Sequence, residues 1–279
     1  MLALHDVTVR AGRATLLDGL SLHVAPGEVV AVVGANGAGK TTALRVLAGE
    51  RRPDGGRATL GAGDAARDLG ALAPDALARR RAVLPQRATL AFDFAVLDVV
   101  LLGRMPHAAG RAADHASAAR AMERADVAHL AERRYGTLSG GEQQRVHLAR
   151  ALAQLDAPAH DVAGDARYLL LDEPTSALDL AHQHTVLEVA RREAEAGAGV
   201  LAVLHDLNHA AQYADRVAVL AGGRLVACGP PREVLTPAVV RCAFGITVMV
   251  TDHPCLACPL VVPVGAGAAA EVELPLPVL

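Results

Sequence analysis

Four short apolar runs punctuate the chain: VVAVV (29–33), YLLL (168–171), VLAVL (200–204) and RVAVL (216–220). Unbroken apolar stretches of this length suit strands buried on both faces of a parallel sheet. A segment with helical period, AHQHTVLEVARREAEA, separates the second run from the third, as a crossover helix would. Upstream, LALHDVTV and LSLHV read as short strands, with Pro26-Gly27 as a turn before the first buried run. Residues 50–75 are rich in Gly, Asp and Ala, and PDGG marks a turn. From about Pro85 to Arg134 the pattern becomes Ala-rich and helical, as in DHASAARAMERADVAHL. Gly222-Gly223 predicts a hairpin after the last run. The chain becomes Pro- and Gly-rich from about residue 242. No internal repeat is visible. The pattern predicts a doubly wound α/β core interrupted by a helical insertion. Its core is 1–84 with 149–241, its insertion 85–148, and its tail 242–279.

Composition narrows this picture. At 279 residues the chain can bury a sizeable core, and with 2% aromatics and no Trp that core is built from Ala, Val and Leu. A net charge of −3 and a scarcity of rings argue against a nucleic-acid binder. MLALHDVTVR places His and Asp too early for a signal peptide, and Asp93 and Asp98 interrupt the longest apolar stretch, LAFDFAVLDVVLLG. A soluble, cytoplasmic chain is expected, in which four Cys do not indicate a disulfide framework.

The first run leads into GANGAGKTT, whose Lys40 is the chain's only lysine; the other basic residues are all Arg. The spacing G-x-x-x-x-G-K-T runs from Gly34 through Ala35, Asn36, Gly37 and Ala38 to Gly39, Lys40 and Thr41, with Thr42 following. A strand, a glycine-rich loop and a helix start form a phosphate cradle of backbone N–H groups backed by the helix dipole. Such a cradle admits a compact ammonium but not a guanidinium fork. The second run delivers Asp172 and Glu173 to its carboxyl end, where open α/β sheets bind ligands. Pro174 is expected to keep Glu173 extended, so that the two carboxylates diverge. One would hold Mg²⁺ beside Thr41 and the other would polarise a water. In LSGGEQQRV (138–146), Ser139 and Glu142 form a capping box at the start of a helix, with Gly140 and Gly141 between them.

Together these motifs identify the chain as resembling the ATP-binding cassette proteins from about residue 2 to 240. The resemblance implies a P-loop NTPase of the RecA-like kind, with an antiparallel β subdomain and an inserted α-helical subdomain. It implies ATP and Mg²⁺ as ligands, with Glu173 as general base and Lys40 as phosphate clamp. Gln86 of LPQ would sense Mg²⁺, which Thr41 and Asp172 also hold, and would contact a membrane partner. His205 of VLHDL would be a switch near the γ-phosphate. Ser139, Gly140 and Gly141 would bind ATP held by a second copy in a head-to-tail homodimer, and Asp179 of SALD would cross to that copy. The other partners implied are an integral membrane permease dimer and, indirectly, a periplasmic substrate-binding protein. The place implied is the cytoplasmic face of the bacterial inner membrane. A cassette ATPase of repair, translation or cluster assembly is the rival reading, but tandem cassettes, coiled-coil insertions and basic arms are not seen.

Two features depart from the family. No aromatic precedes the P-loop to stack on adenine, so an arginine among Arg10–Arg13 is expected to stack instead. HPCLACP (253–259) has C-x-x-C spacing, with His253 and Cys242 as further candidate ligands, but it reads as a β-turn in the tail. Within the family the chain most resembles ATPases of importers for large iron-containing and corrinoid compounds. The insertion DAPAHDVAGD (156–165) is similar to that of haem-importer ATPases, which implies haem as cargo, with siderophore or cobalamin import as the neighbouring alternative.

Overall fold

The computed structural model describes residues 1–86, 93–107, 109–156, 166–176 and 178–264. The insertion 156–165 therefore lies outside the described residues beyond Asp156. β1 (Leu2–Ala11) and β2 (Ala14–Val24) pair antiparallel, and β3 (Val29–Gly34) carries the first apolar run into the glycine loop. α1 (Lys40–Leu47), β4 (Gly55–Leu60), β5 (Arg67–Asp68), α2 (Pro74–Ala78) and β6 (Arg81–Leu84) follow. The helical layer is α3 (Val96–Leu101), α4 (Arg111–Arg124) and α5 (Gly140–Leu155). β7 (Tyr168–Asp172), α6 (Leu180–Glu195), β8 (Gly199–Val203), α7 (Leu207–Tyr213) and β9 (Arg216–Ala221) return to the core. β10 (Arg224–Gly229), α8 (Pro231–Val234), α9 (Pro237–Phe244), β11 (Val248–Asp252) and β12 (Pro259–Pro263) come last.

The central sheet runs β10-β9-β3-β8-β7-β6, and the four apolar runs fill its four adjacent inner places. Neighbours are parallel except β9 and β10, which the Gly222-Gly223 turn joins as an antiparallel hairpin. Period-2 alternation splits each inner strand between two cores. Val29, Ala31 and Val33 face the helical layer, while Val30 and Val32 face α1 and the second sheet. That second sheet is antiparallel, in the order β2-β1-β4-β5. Each Val or Leu buried on either side contributes about 1.5–3 kcal/mol relative to exposure.

Polar residues set the helix starts. Ser139 and Glu142 make the capping box: Ser139 N donates to Glu142 Oε2 at 2.7 Å, and Glu142 N to Ser139 Oγ at 3.3 Å. Asp179 caps α6 by accepting from His182 N, and Asp206 caps α7 by accepting from Asn208 N and His209 N.

Three expectations change. β4 and β6 lie in stretches whose pattern did not mark strands. α5 runs unbroken across the expected boundary at 148–149, so the helical layer and the core share one helix. The described part of the tail is folded, because α9 extends to Phe244 and β11 and β12 form a hairpin that packs on α7. Asn208 on α7 fastens it: Nδ2 donates to Val261 O at 3.2 Å, and Val261 N donates to Oδ1 at 2.8 Å. The C-x-x-C segment turns this hairpin. His253 Nδ1 accepts from the backbone N–H of Cys255 and Leu256, both at 3.1 Å, which commits that ring to the turn.

Candidate active site

β3 ends at Gly34 and α1 begins at Lys40, so the loop between them lies over the helix's free N–H groups. Gly39 has φ 100, and a Cβ there would meet Leu16 O and Leu17 Cδ2, both at 2.7 Å. No other residue fits. Backbone bonds prop the loop from outside: Gly223 N donates to Ala38 O at 3.2 Å, and Asp18 N to Gly223 O at 2.9 Å. The loop encloses a cavity of about 190 Å³ lined by Asn36, Gly37, Ala38, Gly39, Lys40, Thr41, Thr42, Leu16 and Glu173.

Lys40 is buried, and its Nζ donates to Gly34 O at 2.7 Å and Ala35 O at 3.1 Å. Burial lowers its pKa, while the nearby Glu173 and Asp172 charges oppose that shift. Asp172, at the end of β7, is also buried, and Thr41 Oγ1 donates to its Oδ1 at 3.1 Å. Burial pushes the Asp172 carboxyl up; the Thr41 bond opposes this and the Glu173 charge adds to it. A buried carboxylate beside a hydroxyl and a second acid is short of positive charge. This pair of hard oxygen donors fits Mg²⁺, which would be held by Thr41 and Asp172.

Glu173 differs from expectation. Its φ is 51, so it is left-handed rather than extended. The chain turns sharply at the strand end, with Glu173 N bonded to Val203 O of β8 at 3.2 Å and Ser176 N to Glu173 O at 3.3 Å. Those bonds override the preference of a residue preceding proline, at a cost of about 1–3 kcal/mol. The turn aims the carboxylate at the cavity and between two partners. Gln86 Nε2 donates to Oε2, and His205 Nε2 lies 2.7 Å from Oε1. Gln86 thus reaches Glu173, and among the described residues no hydrogen bond joins it to Thr41 or Asp172.

Ser139, Gly140, Gly141 and Asp179 are not brought to this cavity. They line a second one of about 470 Å³, together with Glu142, Arg145, Leu178 and His182. Asp179 Oδ1 accepts from His182 N at 3.0 Å and lies 2.6 Å from His182 Nδ1. The first of these bonds holds its carboxyl below the ordinary range. One subunit therefore carries two cavities with no lining residue in common. Neither Arg10 nor Arg13 lines the loop cavity, whereas Leu16 does.

A family model described as ABC transporter matches residues 17–176, more than half of the chain. The chain belongs to the ABC transporter family. This cassette is 52% identical to the hemin import ATP-binding protein HmuV of Gloeobacter violaceus, over 97% of each chain. It is 53% identical to the protein of the same name from Deinococcus radiodurans, over 92% of this chain and 95% of that one. Among solved structures, a metal-chelate type ABC transporter in an inward-facing conformation superposes with a TM-score of 0.76 at 27% identity, covering 95% of this chain and 97% of that one. A dimeric bacterial ABC transporter cassette gives 0.70 at 26% identity, over 83% of this chain and 99% of that one. As an ABC ATPase subunit the chain binds ATP.

Sequence reading missed two glutamines of the cassette. Gln144 Nε2 donates to Pro174 O at 2.7 Å and Glu173 O at 3.3 Å. Gln183 Nε2 donates to Leu178 O at 3.0 Å and Thr175 O at 3.3 Å. Both lie inside segments already singled out, but no local pattern reveals a side chain that bonds a distant backbone.

Proposed function

We propose that this chain is the ATP-hydrolysing subunit of a haem importer, working as a homodimer beneath a membrane permease. The carrying observation is Glu173, held at the P-loop cavity between Gln86 and His205. In that reading Lys40 and the N–H groups of 34–42 bind the β- and γ-phosphates. Glu173 takes the proton from a water attacking the γ-phosphorus, the bond to the β-phosphate oxygen breaks, and ADP and phosphate leave. Bound Mg²⁺ would offset charge on the phosphate oxygens. His205 orients the carboxylate, and Gln86, exposed just beyond β6, bonds its other oxygen.

The separation of the two cavities supports a head-to-tail dimer, in which Ser139, Gly140 and Gly141 of one copy meet ATP on the other and Asp179 lies at the crossing. The names of the curated relatives support haem as cargo. No described helix is long and apolar enough to cross a membrane, so attachment at the cytoplasmic face of the bacterial inner membrane runs through the permease. A periplasmic binding protein acts indirectly, by loading that permease.

The test is ATP-driven uptake in proteoliposomes holding permease, binding protein and this subunit. Haem should enter. Glu173→Gln should retain ATP binding and lose about 10²–10⁴-fold in turnover, with uptake lost in parallel. Near-normal hydrolysis removes Glu173 as the base, and transport of cobalamin or a ferric siderophore instead of haem overturns the cargo.

A further inference from the structure

We propose that Gln144 is a positioning residue for Glu173, tying the first turns of α5 to the aim of the carboxylate at the end of β7. This rests on the reading of Glu173 as the base. The side chain of Gln144 is buried in the second turn of the helix that starts at Ser139. Its amide nitrogen spans two consecutive carbonyls, Pro174 O at 2.7 Å and Glu173 O at 3.3 Å. Those are the carbonyls of a left-handed, non-glycine residue and of the proline that follows it. A backbone in that region persists only where its surroundings over-determine it. Here β8 holds the Glu173 N–H through Val203 O. The Glu173 C=O is shared between Ser176, through its N–H at 3.3 Å and Oγ at 3.1 Å, and Gln144 of α5. Gln144 alone holds the next carbonyl, Pro174 O, among the hydrogen bonds of the described residues. With both ends of the residue fixed, the Cα–Cβ bond is aimed at the cavity, and Gln86 and His205 take the carboxylate there.

The neighbouring bonds make this a linkage rather than an isolated contact. Gln143 donates to Tyr135 O and Leu138 O, both at 3.3 Å, fixing the segment that enters the helix. Gln183 of α6 donates to the carbonyls of Thr175, within the turn, and of Leu178, beyond it. The turn that carries Glu173 is therefore held between two helices, each through one amide. Along α5, Gln144 is about 7.5 Å from Ser139, so a shift of the helix's first turn is felt at once by Pro174. Ser139, Gly140 and Gly141 line the second cavity, where the partner copy's nucleotide binds in the proposed dimer. Through Gln144, occupancy at that cavity sets the geometry of Glu173 in the same subunit, and so couples the two ATP sites of the dimer.

Glutamine suits the task because one nitrogen carries two donors. Gln144→Met keeps the length and removes both, leaving Pro174 O without this donor. A shift of about 1 Å in a reacting group costs on the order of 10²-fold. We expect Gln144→Met to lower kcat by about 10–100-fold, on that scale, with KM for ATP changed less than about 2-fold. The deciding measurement is the double variant. If Gln144 acts through Glu173, Gln144→Met added to Glu173→Gln leaves the residual turnover unchanged. The same fold loss in both backgrounds, or a wild-type kcat in the single variant, overturns the proposal. Should Gln144→Met fail to fold, Gln144→Asn, which keeps the donors but withdraws them by one methylene, decides through the same cycle. Near-normal turnover in Glu173→Gln alone would instead remove the base on which the proposal rests.

Discussion

An ammonium and a guanidinium carry the same charge, but the carbonyls of Gly34 and Ala35 close on Lys40 Nζ at 2.7 and 3.1 Å inside a buried loop. A planar fork with five donors cannot occupy that place without opening the ring proposed to hold the nucleotide phosphates. Lys40→Arg should therefore lose one or two charge-assisted bonds at about 1.5–3 kcal/mol each, and ATP affinity should fall by about 10–100-fold or more. Isothermal titration with a non-hydrolysable ATP analogue checks this; affinity within a factor of two of wild type would show that the cradle tolerates the larger head. Lys40 was legible in the sequence because phosphate binding demands a fixed local spacing. Glu173 was legible as an acid at a strand end, but its backbone was not. The rule for a residue before proline gives extended φ, whereas bonds from β8 and from Ser176 impose a turn. Val203 and Gln144, which bond the backbone of that turn, and Gln86, which bonds the carboxylate, come from distant parts of the chain.

Among the elements, α5 joins what the hydrophobic pattern divides. Its first turn lines the second cavity, and near its last turn Gln154 Nε2 donates to Ala78 O at 2.7 Å and Arg81 O at 3.0 Å, at the edge of the central sheet. His147 lies midway, its Nε2 2.8 Å from Tyr135 Oη and its Nδ1 without a hydrogen-bond partner. Burial, and secondarily the charge of Arg150, depress its pKa to about 4. The unfolded chain binds this proton near pH 6.5 and the folded chain does not. The resulting stability is thus complete above about pH 6.5 and is lost as pH falls toward 4, by about 3 kcal/mol in all. Urea midpoints measured between pH 7 and 4.5 should fall more steeply for the native chain than for His147→Gln. Parallel slopes would assign the acid sensitivity to other groups. The elements missed in the sequence have a common cause. β6 is a four-residue edge strand after a run of arginines, and β4 opens on two glycines, so neither shows the apolar periodicity of a strand covered on both faces.

At the scale of the whole molecule, two cores share one sheet, and the C-terminal hairpin extends the larger of them. The hairpin escaped sequence reading because prolines stand at both ends of β12. Pro259 and Pro263 pair with Asp252 and Val248, on an edge strand where a missing N–H is tolerated. The solitary lysine has a consequence for the chain as a polymer. A protease that cuts only after lysine finds a single cleavable bond in the entire sequence, Lys40–Thr41, and that bond opens α1 at the floor of the phosphate loop. Scission into two fragments is then a direct clock for exposure of the nucleotide site, without any label. Native protein should resist the enzyme far longer than urea-unfolded protein, and saturating ATP at 100 times Kd should slow scission by up to about 100-fold, since only the unliganded loop can open. Equal rates with and without nucleotide would mean that the loop opens while ATP is still bound.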